Sequence, residues 1–282
     1  MYSRHTKRTC LRTLLPVIVI ILVGISQLIS GISLSFASPA SQERNIDTSP
    51  IPSLASACPS SIYFGETIEC SITIEEEIDS YTFAANAGDK VLVRMSRASG
   101  TLTLHVRVKA PDGTDLCEAY NSLPAEIESC TLPSTGIYTI LAGNLVGGNT
   151  GDYYLYLQRL NDPGGAVPIA FGQTHSGSIM PGEIDTYTFS AVAGDKVLVR
   201  MSRASGLMTL EVRVFGPTGA LQCERYNSLP AEIESCTLPS TGTYTILADD
   251  MQGINTGDYL LFLQRLNAPL TPYSVFLPSV RK

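Results

Sequence analysis

Tryptophan is absent from this chain, histidine occurs three times, and aromatic residues make up only 7% of the 282 positions. A chain without tryptophan lacks the ring that most readily stacks against a sugar. With so few histidines it is also short of the side chain that does most general acid–base work near neutral pH. No GxSxG elbow, HExxH pair or phosphate-binding glycine loop occurs, and there is no CxxC pair of the kind zinc sites use. A sustained 3.6-residue hydrophobic period is missing beyond residue 37, which argues against a helical fold.

Positive charge is scarce too, and what there is lies partly in a removable segment. Arg4, Lys7, Arg8 and Arg12 precede an apolar run over residues 14–32, followed by small residues around Ser35 and Ala37. That is a secretory signal pattern, with cleavage expected after Ala37 and a signal peptide over residues 1–37. The alternative is an uncleaved anchor, the only membrane contact the sequence suggests, because the run approaches the length that spans a bilayer. Loss of residues 1–37 removes four of the 19 basic residues and none of the 26 acidic ones, leaving a net charge of −11. A secreted chain this acidic is poorly suited to nucleic acid or anionic membrane surfaces. Residues 38–57, rich in Ser and Pro, read as a flexible leader, and residues 269–282 as a C-terminal tail.

Seven cysteines are present, and Cys10 leaves with the signal segment. The remaining Cys58, Cys70, Cys117, Cys130, Cys223 and Cys236 are an even set in an oxidising compartment, which reads as disulfides. The simplest pairing is local: 58 with 70, 117 with 130, and 223 with 236. Each would close a loop of about a dozen residues, worth on the order of 3 kcal/mol in the chain-entropy view.

The pairing is suggested by a duplication. Residues 79–161 match residues 185–267 without a gap at roughly three quarters of positions, and the seventeen residues 120–136 recur unchanged at 226–242. Two domains are therefore expected, over 58–162 and 163–268. Leu102, Leu104, Val106 and Val108 alternate with Thr103, His105, Arg107 and Lys109; Met208, Leu210, Val212 and Val214 alternate with Thr209, Glu211, Arg213 and Phe215. This period of two predicts half-buried strands with the aliphatic side inward. Turn sequences such as Ala87-Gly88-Asp89-Lys90 and Thr150-Gly151-Asp152 separate further short strands, so each copy reads as an antiparallel β-sandwich.

The order of these motifs carries a family resemblance. Glu77-Ile78-Asp79 with Tyr81 and Phe83, Gly88-Asp89, Pro111-Asp112-Gly113, Gly136 with Tyr138, and Gly151-Asp152-Tyr153 recur as Glu183-Ile184-Asp185 with Tyr187 and Phe189, Gly194-Asp195, Pro217 with Gly219, Gly242 with Tyr244, and Gly257-Asp258-Tyr259. Both copies resemble the bacterial pre-peptidase C-terminal domain. The resemblance implies two tandem jelly-roll-like antiparallel β-sandwich domains, all-β. It also implies a non-catalytic module of secreted hydrolases, associated with secretion, substrate or matrix binding and sometimes calcium. The chain departs from that family in showing no protease domain, and its disulfide-closed loops are not a general family feature.

The expected function is therefore a secreted or cell-surface binding or adhesion module directed at an extracellular polymer, either polysaccharide or matrix protein. A carbohydrate-binding protein and an accessory partner of a separate secreted hydrolase stand beside that reading. A bridge from Cys117 to Cys130 would pin 120–124 as a rigid surface loop, making Tyr120, Asn121, Tyr226 and Asn227 the candidate contact residues. Failing that block, outward strand positions around Tyr154 and Tyr156 are the next candidate. No cofactor is called for: Glu75, Glu77 and Asp79 crowd one strand entry with the hard oxygen donors calcium prefers, but a solvated acidic edge that discourages strand pairing is the preferred reading of them. Two carboxylates could serve glycoside hydrolysis, but so small a sandwich without tryptophan is not expected to be an enzyme.

Overall fold

Alternation becomes strand wherever one side of the chain can be buried. The computed structural model describes residues 58–121, 123–227 and 229–267. The expected signal peptide, leader and C-terminal tail lie outside the described residues. In the first half, β1 (Glu66–Ile72), β8 (Gly151–Arg159), β3 (Lys90–Arg97) and β6 (Ala125–Thr131) form one sheet in that spatial order. The second sheet runs β2 (Ile78–Ala85), β7 (Gly136–Asn144), β4 (Leu104–Lys109), β5 (Asp115–Asn121). Leu104, Val106 and Val108 of β4 are fully buried between the sheets, as the period of two predicts.

The second half repeats the plan. One sheet is β10 (Thr174–Ile179), β17 (Gly257–Arg265), β12 (Lys196–Arg203), β15 (Ala231–Thr237). The other is β14 (Leu221–Asn227), β13 (Leu210–Phe215), β16 (Gly242–Asp250), β11 (Ile184–Ala191), closed by the short parallel β9 (Val167–Pro168). Every other strand pair is antiparallel. Each half has its own apolar core, and both lie in one compact unit. The described residues form no helix, so none is long and apolar enough to cross a membrane.

The repeated motifs are spent on this scaffold. In the first half the Tyr153 hydroxyl donates to Asp79 Oδ2 at 2.5 Å and meets the Tyr81 hydroxyl at 2.5 Å; Tyr259, Asp185 and Tyr187 repeat the arrangement. Burial, only partly offset by the tyrosine's hydrogen bond, raises the Asp79 carboxyl and lifts Asp185 to about 6. Asp152 accepts from Ser71 and Ser99, and Asp89 accepts from the Asn86 backbone to hold its turn. These aspartates tie turns and strands together.

The disulfides join Cys58 to Cys70, Cys117 to Cys130 and Cys223 to Cys236. Cys117 and Cys130 stand on β5 and β6, the edge strands of opposite sheets, so the bridge staples the sandwich across its open side. Such edges otherwise invite pairing with another chain. This corrects the pinned-loop expectation. Tyr120 and Asn121 end strand β5 and Ala125 already begins β6, so the repeated block is mostly two edge strands and the corner between sheets. Ala125 and Ile127 are buried while Glu128 is exposed, a strand pattern that Asn121 and Pro124 obscure.

Candidate functional site

The exposed ends of β5 and β14 carry the residues singled out in the sequence. The Tyr120 ring is 62% exposed and Tyr226 59%, each at the same place on a stapled edge. Their neighbourhoods differ because the residue directly across the strand differs. Tyr120 faces His105, whose ring lies edge-on at 6.4 Å and whose Nε2 is 3.3 Å from Glu118. Tyr226 faces Glu211 and, with Arg225, Asn227, Pro230, Glu232 and Glu234, lines an open cleft of about 460 Å³. Asn121 and Asn227 close the two strands beside the tyrosines.

The acidic strand entry does not assemble into a cation site. Glu77 accepts from the Ile74 backbone at 3.1 Å and from the Thr73 hydroxyl at 3.0 Å, and also from the Thr73 backbone. The Thr73 backbone bond, with those from Ile74 and the Thr73 hydroxyl, holds its carboxyl below the usual range against a smaller effect of burial. Asp79 is turned to Tyr153 instead. Among the described residues the one convergence of three possible ligands is Cys58, Cys70 and Asp79, and both sulfurs are spent in a disulfide. Glu75, Glu77 and Asp79 therefore do not fit a calcium ion. Of the histidines in the described residues, His175 packs against the Tyr187 ring at 5.8 Å and His105 keeps to Glu118 and Tyr120.

The most elaborate polar cluster lies where the sequence suggested only an outward strand face. Strands β3 and β12 share one sequence, KVLVRMSR, yet β12 exposes Arg200 and half-exposes Leu198, whereas Leu92 and Arg94 of β3 are buried. The cause is the second sandwich: its β13–β16–β11 face packs on the β8–β3–β6 face of the first. Leu92, Tyr156 and Leu160 meet Ile184, Phe215 and Leu247 in a separate apolar cluster. Each such side chain contributes about 1.5–3 kcal/mol on leaving water. Tyr156 is thus 1% exposed and unavailable as a binding residue, correcting the alternative surface expected around it.

Arg94 and Arg213 sit at the centre of this junction, 2% and 5% exposed. Asp249 takes Arg94 Nη1 at 2.9 Å and Arg213 Nη2 at 3.0 Å, and Glu126 bridges the same two guanidiniums from the other side. The result is a closed ring of two cations and two anions, with every charge shared across the junction. Burial opposes the charge on Glu126 and Asp249, but the two arginines outweigh it and hold both carboxyls below the usual range. Glu211 is a fifth member, 3.3 Å from Arg94 Nη2. Burial first, then the charge of Asp249, pushes it up to about 7 despite the arginines. Gln158 and Tyr156 bond to Thr186, and the Thr245 hydroxyl donates to the Leu160 carbonyl at 3.0 Å. A Cβ at Gly182 would fall 2.2 Å from Tyr154 Cβ, so glycine is required there twice over, by its φ of +76° and by this contact.

No family model and no curated protein matches the sequence. Among solved structures the chain is similar to PliG of Aeromonas hydrophila, a periplasmic inhibitor of g-type lysozyme, at 20% identity and a TM-score of 0.29, covering 36% of this chain and 95% of that one. It is also similar to A223, a turret protein of Sulfolobus turreted icosahedral virus, at 10% identity and a TM-score of 0.20, covering 70% and 97%.

Proposed function

We propose that the chain is a non-catalytic binding protein of an oxidising, extracytoplasmic compartment, built from two sandwiches of the pre-peptidase C-terminal kind and directed at an extracellular polymer. One observation carries this reading: the same surface element, an exposed tyrosine at the end of a disulfide-stapled edge strand, is displayed twice. A surface held by a disulfide and a sheet loses little entropy when it binds. Two such surfaces on one body suit a repeating ligand, which converts the second contact into an intramolecular one. Three disulfides fit an oxidising compartment. The reading requires no cofactor, and its ligand is a polysaccharide or a matrix protein rather than nucleic acid.

Retention of the purified chain on insoluble chitin, cellulose, peptidoglycan and fibrillar collagen tests it. Tyr120→Ala and Tyr226→Ala should each weaken retention on the polymer that binds, and together should remove the avidity, with the unfolding transition unchanged. Parent-like retention by the double variant would reduce the block to shared ancestry. A one-to-one complex with a soluble secreted hydrolase, and retention on none of the polymers, would favour an accessory partner instead.

A further inference from the structure

The junction is heterologous: a face of one sandwich meets a different face of the other. The two halves share one plan, so each face used in the junction has an unused twin. The face by which the first half docks survives on the second as Leu198, Arg200, Ser202, Glu232, Gln264 and Leu266, residue for residue the counterparts of Leu92, Arg94, Ser96, Glu126, Gln158 and Leu160. On the second half this face is open. Arg200 is 47% exposed and Leu266 46%, and among the described residues Arg200 forms its one ion pair with Glu232. The opposite twin has diverged. Where the second half presents Gly182, Glu211, Phe215 and Asp249 to the junction, the first half carries Glu76, His105, Lys109 and Gly143.

These four differences have a physical direction. Docking Arg200 and Glu232 onto the free face of the first half would bury Arg200 and Arg107 against a single carboxylate, where the junction supplies Asp249 and Glu211 as well. An uncompensated buried cation is strongly unfavourable. Glu76 would place a side chain where the junction has Gly182 against Tyr154, a position that Leu260 takes on the open face. Lys109, held by Asp115 at 2.7 Å, replaces the apolar Phe215. These differences oppose head-to-tail extension through copies of the chain, although the docking half of the interface keeps its arginine, glutamate and leucines and changes only Tyr154 and Tyr156 to Leu260 and Phe262 among the residues that face the junction.

We propose that the open face of β12, β15 and β17, centred on Arg200, is a docking surface for a β-sandwich of another polypeptide that presents an acidic-aromatic sheet face like that of β13 and β16. The partner chemistry is two carboxylates placed to share Arg200, an arginine to meet Glu232 as Arg213 meets Glu126, and an aromatic ring to cover Leu198 and Leu266. Charge complementarity sets the choice: Arg200 and Glu232 are the counterparts of Arg94 and Glu126, whose pair the junction completes with Asp249 and Glu211 on the arginine and Arg213 on the glutamate. This goes beyond the polymer-binding reading and uses a different surface.

A partner of that chemistry can be made from the chain itself. The variant Glu76→Gly, His105→Glu, Lys109→Phe, Gly143→Asp recreates the acidic-aromatic face on the first half, and a further Arg200→Glu removes its own docking face. Mixed with the wild-type chain, this receptor variant should form a two-chain complex by sedimentation velocity. Each protein should be a monomer alone, and Arg200→Glu in the wild-type partner should weaken the complex at least about tenfold. Failure to associate, with the receptor variant retaining its disulfides and cooperative unfolding, would overturn the proposal, as would a complex indifferent to Arg200→Glu. Should the full variant not fold, His105→Glu with Gly143→Asp and Arg200→Glu poses the same question with the same readings.

Discussion

Replacing Glu211 by glutamine should change how the junction responds to pH more than how strong it is. In the folded chain burial and Asp249 raise this carboxyl to about 7, whereas an unfolded glutamate titrates near pH 4.3, roughly. The folded state thus holds the proton more tightly. The stability this gives is fully present below the unfolded value and falls as pH rises towards the folded one. Over that window the loss is roughly 2–4 kcal/mol, with little solvent discount because the side chain is only 14% exposed. Glutamine mimics the protonated acid and removes the slope. Asp185 and Asp79 shift in the same direction in both proteins and cancel, whereas Glu126 and Asp249 share the ring with Glu211, so the difference reports the ring titrating as a unit. Urea unfolding of both at pH 5.0 and 7.5 is the assay. A lead for glutamine of about 1 kcal/mol at pH 5.0, widening to a few kcal/mol at pH 7.5, is expected; parallel pH profiles would refute the reasoning.

Two further outcomes follow from the same geometry. Gly182→Glu, which installs the first half's residue, should cost at least about 3 kcal/mol in urea unfolding, because Tyr154 fills the space and the backbone is left-handed; Glu76→Gly at the matching open site should cost under about 1 kcal/mol. Cys223→Ser should destabilise the chain by about 3 kcal/mol in non-reducing urea unfolding while the bridges 58–70 and 117–130 persist in peptide maps; an exchanged bridge between the halves would count against the independent staples.

The sandwich fold was legible because period-two segments such as Leu104-His105-Val106-Arg107-Val108 report the two sides of a sheet locally, and turn residues report where it ends. The local disulfide pairing was suggested by the repeat of Cys117 and Cys130 as Cys223 and Cys236. The junction was not legible in either copy alone, because KVLVRMSR has the same local pattern whether its outer side meets water or another sheet. Its signal lay in the differences between copies: Glu211 opposite His105, Asp249 opposite Gly143 and Phe215 opposite Lys109 place acids and a ring on one outer face only. Tyr156 and Phe262 illustrate the limit, near-identical residues of which one is sealed and the other half-open.

The measurement that tests this asymmetry most directly compares Arg94→Met with Arg200→Met, the same substitution in the same octapeptide. Arg94 is 2% exposed among three carboxylates, and its loss should cost about 3–5 kcal/mol in urea unfolding at pH 7 by leaving all three buried around Arg213 alone. Arg200, 47% exposed with one partner, should cost under about 1 kcal/mol. Equal effects, or a larger effect at Arg200, would contradict a buried junction between the two halves.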